Sequence, residues 1–118
     1  MNQSSPSILI YGAGGHGHVV AEAAAAAGIG VRGFCDDDAA VRNVGPWDVL
    51  SREALDAEPY AVHVAIGDNA NRRRVLERLS AQGHTLVTVV HPSAWVSPSA
   101  QVRAGVYIGP NATVNAEA

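Results

Sequence analysis

After seven largely polar residues comes an unbroken apolar run, Ile8–Tyr11, that gives way to "GAGGHGH" and then to the alanine-rich stretch "VVAEAAAAAG". A short apolar run followed by a long small-residue segment predicts a buried strand at Ser7–Tyr11 and a helix over His16–Ala27, stopped by Gly28. A second strand is predicted at Val31–Cys35, ending at "DDD", and a third at "AVHVAIG", ending at Gly67. Between them Ser51 caps a short helix to Ala57, with Pro59 just beyond. "NANRRRVLERLSAQG" places Val75, Leu76 and Leu79 on one helical face, with Asn69 as the expected cap and Gly83 at the C′ position. "TLVTVV" reads as a fourth strand. Alternating apolar strands and helices predict an α/β fold, a Rossmann-like parallel sheet with flanking helices.

From Val90 the rhythm changes. The tail divides into sixes, "VHPSAW VSPSAQ VRAGVY IGPNAT VNAEA", each opening on Val or Ile: Val90, Val96, Val102, Ile108 and Val114. Ala94, Ala100, Ala112 and Ala118 hold the fifth place in four units, and Val106 holds it in the other. A period of six fits neither a helix nor an alternating strand. It fits the triangular coils of a left-handed β-helix, with the aliphatic residue turned inward on each face. The expected organisation is therefore residues 1–89 as the Rossmann-like domain and 90–118 as the beginning of the coils. Such coils bury a core only by stacking, and an open coil end exposes unpaired backbone groups. The expectation is that this chain is the front part of a longer protein.

Composition narrows the classes. Hydrophobic residues make up 47% of the 118 and charged residues 16%, enough apolar surface for a core. A net charge of −3 opposes binding to a nucleic-acid backbone, and the triplet Arg72–Arg74 reads as a solvated helix face. The lone Cys35 reads as a small core residue and builds no disulfide framework. "MNQSSPS" lacks the pattern of a signal peptide, and no apolar run reaches the roughly 20 residues of a membrane span. A cytoplasmic location is expected.

Gly12, Gly14 and Gly17 satisfy G-x-G-x-x-G between strand and helix, with Asp36 about twenty residues on. Gly12 permits the tight turn, Gly14 and Gly15 admit close approach of a ligand, and Gly17 lets the helix sit near the sheet. The first amides of that helix lack partners within it and carry the positive end of its dipole. A diphosphate suits them; the competing reading is a turn that binds nothing. Asp36, Asp37 and Asp38 follow the second strand, where one carboxylate can accept from a ribose hydroxyl or a base N–H, while Asp38 reads as solvated. Gly67 again allows close approach, Asn69 offers a cap or a ligand contact, and Arg72 can reach an anion. A metal site from His16, His18 and the acids has no supporting spacing, and none is expected. His63 reads as a packed or exposed strand residue, His84 as a partner of a helix dipole, and His91 as structural. Trp47 and Trp95 read as packing residues.

"YGAGGHGHVV", "GFCDDD", "AIGDNANRRRVLERL" and the hexapeptide tail, in this order, resemble the sugar acetyltransferases of the sialic acid O-acetyltransferase and bacillosamine N-acetyltransferase type. The resemblance covers nearly the whole chain. It implies a UDP-sugar in the first domain, with the diphosphate at Gly12–Gly17 beside His16, the nucleoside at Asp36 and Asp37, and Gly67 and its neighbours closing the pocket. It further implies acetyl-CoA as co-substrate between subunits of a homotrimer built through the coils, in surface glycan synthesis. The family's catalytic base is a histidine on a later coil, past Ala118, so no catalytic residue is assigned and this chain alone is expected to be inactive. Two other readings stand beside it: an NAD-binding domain of an oxidoreductase, and a non-catalytic sugar-nucleotide or assembly module.

Overall fold

A computed structural model describes residues 7–38, 40 and 44–118; the rest of the N-terminal segment read above lies outside them. The elements run β1 (Ser7–Tyr11), α1 (Gly15–Ala26), β2 (Gly30–Cys35), α2 (Arg52–Ala57), β3 (Ala61–Val64), α3 (Asn69–Ala81) and β4 (Thr85–Leu86). Four strands form one parallel sheet in the order β2-β1-β3-β4. The chain leaves β1 to one side and returns on the other, so the ends of β1 and β3 flank the point where strand order reverses. Ligands of open α/β sheets settle in that crevice.

Alternation along β1 builds both halves of the core. Ile8 and Ile10 pack with Val20, Ala21 and Ala24 of α1 and with Phe34. Leu9 and Tyr11 turn to the opposite face, toward Leu55 of α2 and Val75 and Leu79 of α3. Leu55 and Leu79 are fully buried, each contributing about 1.5–3 kcal/mol relative to exposure. The alanine run is a close-packed face: Ala21 and Ala24 have no exposed surface. Gly17 makes that approach possible. A Cβ there would strike the Gly12 carbonyl oxygen and lie 3.2 Å from the Phe34 ring.

The helix ends follow local chemistry. Ser51 Oγ accepts the Ala54 amide at 3.1 Å, and Gly83, at φ +91°, lies just past the last turn of α3. The cap of α3 is one residue earlier than expected: Asp68 accepts the Asn71 amide at 2.7 Å, and Asn69 is the first helical residue. A carboxylate wins this position because it also complements the helix dipole. The third strand is shorter than "AVHVAIG" suggested, ending at Val64.

The expected strand over 85–90 is two strands. β4 pairs with β3, whereas β5 (Val89–Val90) pairs in parallel with β7 (Tyr107–Ile108). β6 (Trp95–Val96) pairs likewise with β8 (Thr113–Val114). Hydroxyls at the corners lock the same spacing, with Ser93 Oγ accepting the Asn111 amide at 3.0 Å and Ser99 Oγ the Glu117 amide at 2.9 Å, each 18 residues on. Gly105, Asn111 and Glu117, six apart, all take positive φ. Both strand pairs and both hydroxyl bonds thus span 18 residues, three lengths of six.

Two expectations for the tail need correction. Trp95 is 56% exposed; it precedes the inward position taken by Val96, and period-2 alternation turns it to solvent. Val102 is 38% exposed; unlike Val90 and Val96, which pair with Ile108 and Val114, it belongs to no strand pair among the described residues.

Candidate functional site

The Gly12–Gly17 turn sits at the strand-order reversal. Gly12 takes φ +113°, and a Cβ on it would lie 2.5 Å from the Ala65 carbonyl oxygen, so only glycine lets β1 turn beside β3. Its amide donates to the Cys35 carbonyl at 2.7 Å, and the Ala13 amide donates to Asp36 Oδ2 at 2.7 Å. These bonds tie the turn to the end of β2. α1 then begins with Gly14 as N-cap, extended at φ −81°, ψ −166°, with no side-chain cap and no acid in the first turn. Nothing lies within 4 Å of where a Cβ of Gly14 or Gly15 would stand. The other two caps, Asp68 and Ser51, are filled by their own side chains; this one is left bare, with the helix dipole behind it.

Two clefts flank the turn. One, of about 240 Å³, is lined by Tyr11, Gly12, Gly14, Asp36, Asp37, Ala65, Ile66 and Asn71. The second, of about 370 Å³, lies between the sheet and the coil, with His16, His63, Arg72 and Tyr107 as its polar lining. Ile66 borders both. Thus Gly12, Gly14, Asp36 and Asp37 meet in the first cleft, and His16 and Arg72 meet in the second. Gly67 and Asn69 line neither. Instead Arg72 donates to the carbonyls of Ile66 (3.1 Å) and Gly67 (3.4 Å) and to Asn69 Oδ1 (2.7 Å). Gly67 and Asn69 thus orient the guanidinium.

Asp36 holds the loop together, its oxygens accepting the Ala13 amide and, at 2.8 Å, the Asp38 amide. Asp37 accepts from the Tyr11 hydroxyl and faces Arg52 at 3.5 Å. Arg78 donates to the same hydroxyl at 2.7 Å, and its guanidinium stands 5.3 Å from the Tyr11 ring centre. Burial first, and then the Asp37 hydrogen bond, push the Tyr11 phenol up to about 12. Burial likewise raises the Cys35 thiol, with the charge of Asp37 as the next cause. Cys35 is a core residue, as expected.

Tyr11, Arg78, Asn71 and Tyr107 join the site without having been singled out from the sequence, and His63, read there as a packed or exposed strand residue, is packed in β3 and lines the second cleft. Tyr11 gave one signal, a hydroxyl ending an otherwise aliphatic strand. The others are assembled by topology alone. His84 also departs from its reading. It is buried, and its Nδ1 accepts the Tyr60 amide at 3.0 Å, so it is a structural bridge. His91 is structural as expected, accepting the Ser93 amide at 3.0 Å. Among the described residues no group of three or more His, Cys, Asp or Glu is placed to hold a metal, and no helix is long and apolar enough to cross a membrane.

The sequence and fold have counterparts in known proteins. The family model described as the PglD N-terminal domain matches residues 7–79. The chain belongs to the PglD N-terminal domain family. GDP-perosamine N-acetyltransferase of Escherichia coli O157:H7 is 31% identical over 85 residues, covering 70% of this chain and 38% of that protein. Two solved structures extend the likeness through the coil. A variant of perosamine N-acetyltransferase from Caulobacter crescentus, in complex with CoA and GDP-perosamine, superposes with a TM-score of 0.84. It is 32% identical, over 99% of this chain and 58% of its own. The acetyltransferase domain of PglB from Neisseria gonorrhoeae FA1090, in complex with acetyl coenzyme A, gives 0.81 at 36% identity, over 96% and 57%. This PglD-family chain therefore spans between about two-fifths and three-fifths of the length of these relatives.

Proposed function

We propose that this chain is the substrate-binding part of an acetyl-CoA-dependent N-acetyltransferase of nucleoside-diphosphate amino sugars. The observation that carries the reading is the uncapped start of α1, with no side-chain cap and no acid in its first turn, between two clefts at the strand-order reversal. The diphosphate sits on the amides of Gly15, His16 and Gly17. The nucleoside extends into the cleft of Tyr11, Asp37 and Asn71, and the sugar into the cleft against the coil. Acetyl-CoA supplies the acyl group, and the coils hold it between the subunits of a cytoplasmic homotrimer. The share of this chain is to bind and orient the sugar nucleotide.

UDP is the nucleotide expected from the sequence, and the perosamine relatives named above make GDP the one to set against it. Calorimetric titration of the chain with UDP, GDP, UDP-glucosamine, GDP-perosamine and NAD tests the reading. Saturable binding of one nucleoside-diphosphate sugar, with its bare diphosphate weaker and NAD weaker still, is the expected result. Tight NAD binding, or no binding of any diphosphate, overturns it.

A further inference from the structure

The cleft between sheet and coil contains a histidine whose state the backbone dictates. His63 lies in β3 and is only 1% exposed, yet it lines this cleft. Its Nδ1 lies 2.7 Å from the Val87 carbonyl oxygen. A carbonyl can only accept, so Nδ1 carries the proton and Nε2 of the neutral ring carries a lone pair. Val87 is itself fixed, its amide donating to the Val62 carbonyl at 2.9 Å. Among the described residues no protein group hydrogen-bonds to Nε2.

The surroundings tell what that lone pair meets. Burial holds the imidazole below its ordinary protonation range; the Val87 hydrogen bond opposes this and the neighbouring His16 adds to it. Tyr107, from the coil, places its ring edge-on to both histidines, with centroids 5.3 Å from His16 and 6.4 Å from His63. Val64, Ile66 and Val106 supply apolar walls. Arg72 can only donate. A pyranose presents hydroxyl donors on one edge and C–H surface on its face, so the cleft needs an acceptor, and with Nδ1 committed to Val87 the lone pair of His63 Nε2 is one this cleft can offer.

We propose that His63 is a specificity-determining residue of the sugar subsite, its Nε2 accepting a hydrogen bond from a hydroxyl of the nucleotide-linked sugar. The assignment rests on the proposed function, because it requires the diphosphate to deliver the sugar into this cleft. His16, in the first turn of α1 and on the wall of the same cleft, marks the junction.

The test is a substitution that separates the two ring nitrogens. His63→Asn keeps an N–H for the Val87 carbonyl and deletes the acceptor at the Nε2 position, whereas His63→Gln places a polar group near Nε2. In titrations of the chain with GDP and GDP-perosamine, and with UDP and UDP-glucosamine, His63→Asn should weaken sugar-nucleotide binding about tenfold. Binding of the bare diphosphate should stay within about twofold of wild type, and His63→Gln should recover part of the loss. Equal loss for diphosphate and sugar nucleotide assigns His63 a structural role and overturns the proposal. So does an Asn variant that binds both as wild type does. If the wild-type chain binds no diphosphate at all, the proposed function itself fails, which is a different outcome. Should His63→Asn not fold, the ¹⁵N shift of Nε2 in the wild-type chain decides. It moves on addition of the sugar nucleotide and not of the diphosphate, and an unmoved Nε2 refutes the assignment.

Discussion

Replacing Gly14 by Asp should make the protein more stable and its ligand site worse. Gly14 is the N-cap of α1, already in the extended conformation that a capping aspartate adopts, and its Cβ direction is open for at least 4 Å. The new carboxylate therefore reaches the amide of His16 or Gly17 without strain. Filling the cap contributes a few tenths of a kcal/mol over glycine, and a negative charge at the dipole's positive end adds about 0.3–1 kcal/mol. The sum, about 0.5–1 kcal/mol, raises Tm by roughly 2–5 °C in a domain of this size. The same carboxylate occupies a donor that the diphosphate uses and opposes its charge. Charge-assisted hydrogen bonds contribute about 1.5–3 kcal/mol each, so binding should fall by about 2–4 kcal/mol, roughly 30- to 1,000-fold in Kd. Gly14→Ala is the control, with no acceptor, a slightly lower Tm and nearly wild-type binding. Thermal unfolding and calorimetry on the three proteins read both effects. A stabilised Asp variant that still binds nucleoside diphosphates as wild type does would refute the claim that these amides hold the phosphates.

Other outcomes follow from single contacts. Gly17→Ala drives a Cβ into the Gly12 carbonyl and against Phe34; a loss of about 1–3 kcal/mol in urea unfolding is expected, and an unchanged midpoint contradicts the packing argument. Asp36→Asn leaves one acceptor where two backbone amides now bond. It should cost about 1–2 kcal/mol and loosen the glycine turn, seen as faster amide hydrogen exchange at Ala13. Burial keeps His63 neutral when folded, whereas unfolded histidine titrates near about 6.5. The unfolded state thus binds more protons below that point. Stability is intact above about pH 6.5 and falls as pH drops, with Tyr107 edge-on to the ring and His16 and Arg72 lining the same cleft. Urea midpoints at about pH 7.5 and 5.5 should differ for wild type by more than for His63→Asn, and equal differences contradict the burial of a neutral ring.

Features that depend on spacing along the chain could be read from the sequence. The β1–α1 turn was legible because glycine at Gly12 and Gly17 is demanded by backbone contacts that the motif encodes. The change of rhythm after Val90 was legible because a period of six fits neither a helix nor an alternating strand, and the pairs there span 18 residues. Features set by contacts across the fold were not. The break of "TLVTVV" into β4 and β5 is decided by partners far apart in sequence, Val62 for one half and Ile108 for the other. Asp68 displaced Asn69 as cap because two adjacent residues offered the same chemistry and the charge decided. The Tyr11–Asp37–Arg78 cluster joins three elements, and His63 became interesting only when Val87 and Tyr107 were seen beside it. Asp36, expected at the ligand, first serves the loop that the ligand would approach.

The most direct test of the account is the amide spectrum of ¹⁵N-labelled chain titrated with UDP and with GDP. The Gly15, His16 and Gly17 N–H resonances should move downfield and saturate together with one of them, ahead of shifts at Asp37 and Asn71. Saturable binding that leaves those three amides unmoved would show the diphosphate resting elsewhere and contradict the central claim.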